Sequence, residues 1–414
     1  MMTYEESANY LNEIAGFAKK TTPDHIKYLL SCLGNPQEKL KFIHVAGTNG
    51  KGSVCRFLEA LLESQKKHTG VFTSPHLLQI NERIRIHGEN VPDRIFAEAC
   101  SSVREVVDQT VEKGAEHPSF FEFLFLMALV IFYEQKIDLC VIETGMGGRY
   151  DATNVILPEI SIITSISRDH MEFLGNTLCE IADHKAGIIK DQIPVLSAKQ
   201  VPEVEQVLKN EARTHHADFQ CVSEDNLKFH EKHGKYIDFL NVSAYDKKRH
   251  VRKNIAGDFQ EENFALALTA VQKICVEISD QDIYEALKNV EIPGRMEEIA
   301  PGILIDVAHN IQGIEAFVRT VERYFPGKKR ILFAASHKNE EEYMKDILKR
   351  LPGIEQFYTV AIHGRSINRD EFENVFRQMI DGSGKEEVCF VVGSFYLAGM
   401  AKEFISQEEE DVRL

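Results

Sequence analysis

The sequence has no apolar run long enough to cross a bilayer; its longest stretches, such as Phe123 to Phe132, fall well short of a span. Glu5 and Glu6 come before any apolar stretch, so the opening is not expected to be a secretory leader. No C-x-x-C pair occurs among its eight cysteines, which are scattered singly from Cys32 to Cys389. That argues against a disulfide framework or a zinc site and for a reducing, cytoplasmic setting. Basic charge is in deficit, with 48 Lys and Arg against 64 Asp and Glu and a net charge of −16. Such a surface repels nucleic acid and anionic membrane, so neither is expected as a partner. Part of the excess is the tail Glu408 to Asp411, read as a solvated end. No internal repeat or low-complexity tract is present.

What is present is an alternation of short apolar runs and helical patterns over 414 residues, too long for one ordinary core. That alternation is the mark of α/β architecture with a largely parallel sheet. Strands are expected at Phe42 to Val45, Gly70 to Thr73, Ile137 to Glu143 and Ile160 to Thr164, and a buried helix at Phe121 to Tyr133. From Lys199 to Val251 the chain turns polar, with short alternating pieces such as Tyr236 to Leu240. This reads as an excursion of small β elements at the edge of the first domain. Helical patterns return at Asn263 to Val276 and Asp280 to Leu287. Past Ile292-Pro293-Gly294-Arg295 the βα alternation restarts, with strands at Ile303 to Val307, Arg330 to Ala334, Phe357 to Ile362 and Val388 to Val392. The expectation is a P-loop NTPase-type, mostly parallel sheet domain over 1–293 with the small β excursion, then a smaller doubly wound Rossmann-like domain over 294–414.

The sharpest local signal is Gly47-Thr48-Asn49-Gly50-Lys51-Gly52-Ser53, which follows a predicted strand and opens a predicted helix. That is the context of a phosphate-binding loop: backbone N–H groups close around phosphate oxygens, and Lys51 reaches the terminal phosphates. Gly52 stands where Ser or Thr is usual, which leaves Ser53, one residue later, as the hydroxyl nearest a metal. Glu143 ends an apolar strand ahead of Thr144-Gly145, where a carboxylate can hold Mg²⁺. His170 follows the strand at Ile160 to Thr164, on the same expected sheet edge. Lys185, inside a helix capped near Asn176 or Thr177, reads from its local sequence as a surface lysine.

These strings together resemble the folylpolyglutamate synthase/dihydrofolate synthase family of the Mur-ligase superfamily, nearly end to end. The carriers are His44 to Ser53, Thr73 to Leu77 with Asn81 to Ile84, Glu143 to Asn154, Asp169-His170, His184 to Lys190, Gly257 to Asn263, Pro293 to Glu297 and Asp306 to Asn310. The resemblance implies an ATP-dependent ligase. In that family the γ-phosphate activates a pterin-linked carboxylate as an acyl phosphate, and the amine of L-glutamate displaces phosphate to form an amide. It implies triphosphate on Lys51 and the Gly47 to Ser53 backbone, one Mg²⁺ on Ser74 and Glu143, and a second on His170. Lys185 matches a lysine that carries a carbamate. Asn263 and Arg295 at the linker, with Asp306 and His309, match residues that reach ATP from the second domain, and a cleft near Arg295 is expected to close on substrates.

Gly148 to Ala152 resembles the form seen in members that also make dihydrofolate from dihydropteroate. There, residues matching Phe121, Asp151 and Ala152 line a pterin pocket; Phe121 offers a stacking face and Asp151 an acceptor for the amino-imine edge. A bifunctional enzyme is the expectation. Asn339 stands where the family usually has an acid, and the usual proline before Arg365 is absent. Two other readings are another Mur-type amino-acid ligase and a non-catalytic ATP-binding protein. The UDP-muramyl ligases are less expected, because they carry an extra N-terminal domain and the phosphate loop here begins by Gly47. Nothing in the sequence demands a partner chain, so a monomer is expected.

Overall fold

Five consecutive buried residues, Phe42–Ala46, form the strand around which the first half of the chain is arranged (β1). A computed structural model describes residues 1–223, 232–233, 236–239, 251–253, 257–275, 277–335, 338–363, 366–384 and 387–413. The chain divides into two compact units, Met1–Lys228 with Glu262–Val290, and Phe229–Glu261 with Glu291–Leu414.

The first unit is built on an eight-stranded sheet. After β1 come β2 (Thr69–Phe72), β3 (Ile84–Ile86), β4 (Glu89–Asn90), β5 (Leu139–Glu143), β6 (Ile160–Ile163), β7 (Val195–Ala198) and β8 (Phe219–Val222), in the spatial order β4-β3-β2-β5-β1-β6-β7-β8. The six strands from β2 to β8 in that order are parallel, and β3 and β4 fold back antiparallel at the edge. Parallel sheets are covered on both faces, and β1, β2, β5 and β6 are accordingly buried at every position. The helix Phe120–Glu134 is apolar all round and buried from Glu122 to Phe132, as a helix lodged in a core must be. Ser119 and Glu122 close its start as a capping box, and its side chains share one cluster with Phe72, Cys140 and Ile142.

Strand register decides which loops meet. Val45 lies opposite Glu143, Ala46 opposite Ile163, and Phe72 opposite Ile142. The carboxyl ends of β2, β5, β1 and β6 therefore emerge side by side. The loops that leave them carry Ser74, Thr144, Gly47 and the Ser165 to His170 stretch.

Three sequence expectations shift. β5 begins at Leu139 rather than Ile137, because Lys136 takes a left-handed turn (φ 54°) and delays the extended chain. The polar stretch from Lys199 does not start as small β elements; the helix Pro202–Thr214 buries Val204, Leu208 and Ala212 at four-residue spacing, and β8 completes the sheet. Three short antiparallel strands, Lys232–His233, Tyr236–Phe239 and Val251–Lys253, follow within a segment that clusters with the second unit, not the first. The rest of 224–256, and with it part of the expected excursion, lies outside the described residues.

The second unit holds a five-stranded sheet in the order Glu297–Ala300, Ile303–Asp306, Val388–Val392, Lys329–Phe333, Ile354–Thr359. The first pairing is antiparallel and the others are parallel. The strand expected at Phe357 to Ile362 lies earlier, because Lys329 pairs with Ile354, while Ile362 joins a small hairpin with Ile367. Ser336, His337, Gly364 and Arg365, which flank the departures from the family pattern, lie outside the described residues, as does Val276. Among the described residues no helix is long and apolar enough to cross a membrane.

Candidate functional site

Between β1 and the helix Lys51–Ser64 the chain makes a tight turn that only glycine fits at two points. At Gly47 (φ 152°) a Cβ would lie 1.8 Å from Thr164 Oγ1, and at Gly50 (φ 90°) it would lie 2.4 Å from Asn263 Oδ1. Thr48 and Asn49 both donate their N–H groups to the Ser165 carbonyl, at 2.8 and 3.3 Å. The Thr48 hydroxyl donates to Ser167 O and accepts from Ser167 N, each at 3.1 Å. The loop after β6 thus braces the loop after β1. The helix that starts at Lys51 directs unsatisfied N–H groups and the positive end of its dipole toward the same turn.

Two lysines and a glutamate converge there. Lys51 donates to the carbonyls of Gly47 and Thr48, both at 3.2 Å, and its ammonium lies 3.9 Å from Glu143 Oε1. Glu143 is buried, and its other oxygen accepts from the Ser74 backbone N–H at 3.1 Å. Lys185 corrects the local reading of a surface lysine. It is 4% exposed, and its ammonium nitrogen donates to Gly47 O at 2.6 Å. The reason is helical phase: in Leu178–Ala186, capped by Thr177 with Glu180, the buried face is Ile181, Ala182, Lys185 and Ala186. Burial, and next the Lys51 cation, lower the Lys185 amine to about 7, against the opposing charges of Asp169 and Asp151. Near neutrality a large share of this amine is unprotonated and nucleophilic.

His170 follows β6 as expected, exposed, in a left-handed conformation (φ 48°) that opens the short helix Met171–Leu174. Its Nε2 lies 3.9 Å from Asp169 Oδ1. Asp169 faces the Lys185 amine electrostatically and has no counterpart in the sequence-based assignments; its position one residue before His170 is the available signal. Ser53 is 3% exposed, and its hydroxyl has no hydrogen-bond partner among the described residues. No group of three or more His, Cys, Asp or Glu side chains gathers as a metal site among the described residues. Mg²⁺ does not need such a cage: it favours one or two protein oxygens completed by water and phosphate. Oxygen atoms of Ser53, Ser74 and Glu143 around a phosphate loop fit that pattern.

The three residues expected around a pterin lie next to this edge. Phe121 is half-buried, contacts Phe72 at a 5.4 Å ring separation, and closes against Gly145, where a Cβ would lie 2.8 Å from its ring. Ala152 and Asp151 are buried. Asp151 Oδ2 accepts from Met146 N at 2.9 Å, while Oδ1 accepts from Thr153 N and Oγ1 at 3.1 and 2.6 Å.

Asn263 belongs to the first unit, against Gly50, rather than standing with the second-domain residues. Within the second unit Asp306 ends its strand fully buried and accepts from Met296 N and Ala308 N at 3.0 and 2.8 Å. Burial raises its carboxyl, and the Arg295 cation opposes the rise. His309 Nδ1 lies 2.8 Å from Val307 O, and Phe395 contacts both the His309 ring and the Arg295 guanidinium. Arg295, Asp306 and His309 are thus one local cluster.

Residues 45–271 match the Mur ligase middle domain, and residues 294–398 match the Mur ligase, glutamate ligase domain. The chain is 32% identical to a dihydrofolate synthase/folylpolyglutamate synthase of Bacillus subtilis, over 95% of this chain and 97% of that protein. It is 29% identical to a folylpolyglutamate synthase of Lacticaseibacillus casei, over 97% and 98% of the two chains. Among solved structures, an FPGS–AMPPCP–folate complex superposes with a TM-score of 0.85 at 30% identity, covering 98% of this chain and all of that one. Folylpolyglutamate synthase from Thermotoga maritima superposes at 0.80 with 29% identity, covering 98% and 97%.

Proposed function

The chain belongs to the folylpolyglutamate synthase/dihydrofolate synthase family of the Mur-ligase superfamily, and we propose from that premise how its own residues divide the work. It is an ATP-dependent ligase that forms an amide between glutamate and a folate-type carboxylate. The observation that carries the residue assignment is the buried Lys185 amine, 2.6 Å from the carbonyl of the first phosphate-loop glycine.

A carboxylate oxygen of the acceptor attacks the γ-phosphorus, ADP leaves, and an acyl phosphate forms. The glutamate amine then attacks the acyl carbon, the C–O bond to phosphate breaks, and the amine loses its proton. Each step moves negative charge between oxygens, so positioning and cations carry the catalysis. The N–H groups of Gly47 to Ser53 and the Lys51 ammonium bind the triphosphate. Ser74 and Glu143, with the Ser53 hydroxyl in reach of the same turn, would hold one Mg²⁺, and His170 would take part in a second site. Bound Mg²⁺ supplies neutralisation of the phosphate charge as it migrates. Lys185, as its neutral amine, adds CO₂ through a new N–C bond and releases one proton to become a carbamate, which places an anion beside Lys51. Arg295, Asp306 and His309 are assigned to ATP by their match to the family.

Phe121, Asp151 and Ala152 support acceptance of dihydropteroate as well as tetrahydrofolate. Phosphate release from Mg-ATP and glutamate, measured with each acceptor in parallel and with products weighed by mass spectrometry, is expected to show glutamylated product from both. Product from tetrahydrofolate alone removes the dihydrofolate-forming activity. Silence with both, while ATP binds, contradicts the residue assignments.

A further inference from the structure

We infer that His44, acting through Thr153, is the positioning residue that aims the Asp151 carboxylate at the pterin edge of the acceptor. The inference rests on the assignment of Asp151 to pterin recognition.

His44 lies in the middle of β1 with no exposed surface, and its Nε2 is 2.8 Å from Thr153 Oγ1. Thr153 Oγ1 is in turn 2.6 Å from Asp151 Oδ1. A carboxylate only accepts, so the single hydroxyl proton of Thr153 points at Asp151. The hydroxyl oxygen must then accept from His44, which fixes the imidazole as the Nε2–H tautomer and leaves Nδ1 bare. Nδ1 has no hydrogen-bond partner among the described residues. Burial, with the nearby Lys190 cation, lowers the imidazole to about 3, so His44 stays neutral and neither shuttles protons nor changes its direction of donation. The result is a one-way chain from ring N–H to hydroxyl to carboxylate, in which each donor strengthens the next.

The same turn is held from its other side by Lys190, which donates to Asn154 O and Oδ1 at 3.2 and 2.7 Å. With Oδ1 taken twice by Thr153 and Oδ2 once by Met146, the Asp151 carboxylate is fixed in orientation, with one oxygen less heavily engaged. A histidine with an orphaned ring nitrogen costs stability in a core strand that an aliphatic residue would fill without penalty. That cost falls two hydrogen bonds away from the residue assigned to the pterin.

The test uses the full-length enzyme with tetrahydrofolate, comparing His44→Met, His44→Gln, Thr153→Val, Thr153→Ser and Asp151→Asn. Met fills the space without donating and relieves the orphaned acceptor, whereas the Gln amide reaches the Nε2 position. His44→Met is expected to raise the tetrahydrofolate KM roughly tenfold, the size of one lost aim on a charged acceptor. KM for ATP and glutamate should hold, and the Tm should stay level or rise, because the orphaned acceptor is gone. His44→Gln and Thr153→Ser should recover most of the loss, and His44→Met should add little to Thr153→Val. If Asp151→Asn raises the acceptor KM but His44→Met and Thr153→Val do not, the relay is refuted and the pterin assignment stands. If Asp151→Asn leaves that KM unchanged, the pterin assignment falls and takes the relay with it. A uniform rise in all three KM values, or a lowered Tm with no acceptor selectivity, reduces His44 to a core residue and overturns the inference. Should His44→Met fail to fold, the contrast between Thr153→Val and Thr153→Ser decides alone.

Discussion

Lys185→Met should lower kcat for glutamate addition by a factor on the order of 10³, the scale of losing one preorganised charge, while ATP affinity changes little. The side chain touches the phosphate loop through Gly47 O, and Met occupies nearly the same volume, so the turn should survive. Loss of turnover with retained binding would separate a group that acts during reaction from one that only braces the loop. Depletion of dissolved CO₂ should reduce the activity of the unaltered enzyme, and acetate or formate should partly restore Lys185→Ala, because a small carboxylate can occupy the place of the carbamate. At constant dissolved CO₂, activity should rise through the neutral range as the amine loses its proton near pH 7. The stability effect has a definite sign. An unfolded lysine holds its proton to about 10.4, whereas the folded one releases it at about 7. Between those values the unfolded chain binds more protons, so stability rises with pH; the cost of burying the amine is full below 7 and fades only as pH approaches about 10.4. Lys185→Met should flatten that dependence in a Tm series. A lysine variant with full activity and unchanged CO₂ response would refute the carbamate.

Glu143→Gln is the second large loss. The amide oxygen can still accept from Ser74 N–H, so local structure should persist, but the negative charge opposite Lys51 is gone. A neutral amide is a poor ligand for a hard divalent cation. Turnover at ordinary Mg²⁺ should fall on the order of 10²- to 10³-fold. The Mg²⁺ concentration giving half-maximal rate should rise, with partial recovery at high Mg²⁺. A rate loss without any change in Mg²⁺ dependence would place Glu143 in a purely structural role.

The turn proposed as the phosphate site is legible in the sequence as a strand–glycine turn–helix unit, because its signals are local or come directly from parallel topology. Glycines at 47 and 50, an apolar strand before them and a helical pattern after them leave little choice of conformation. Once β1, β5 and β6 are parallel neighbours, Glu143 and the Asp169-His170 pair must sit at the same edge as Gly47. Lys185 misleads a local reading because a lysine on a buried helical face contradicts the ordinary preference of its residue type; only the phase with Ile181 and Ala182 marks it. Asn263 is easily attached to the wrong partners because a residue far along the chain carries no mark of the glycine it covers. Strand ends such as Leu139 and Ile354 depend on register and on the left-handed turn at Lys136, which a run of apolar letters does not show. The His44–Thr153–Asp151 chain is invisible in the sequence too, since His44 lies more than a hundred positions from the other two and meets them only after β1 and the turn that follows β5 are in place.

Direct transfer of the γ-phosphate to the acceptor carboxylate is the step on which every residue role above depends. The measurement that tests it most directly is one round of turnover with ¹⁸O placed in that carboxylate, followed by mass analysis of the released phosphate. Activation through an acyl phosphate requires the bridging oxygen to leave with phosphorus, so one ¹⁸O atom is expected in the phosphate for each amide formed. Amide formation with unlabelled phosphate would contradict it.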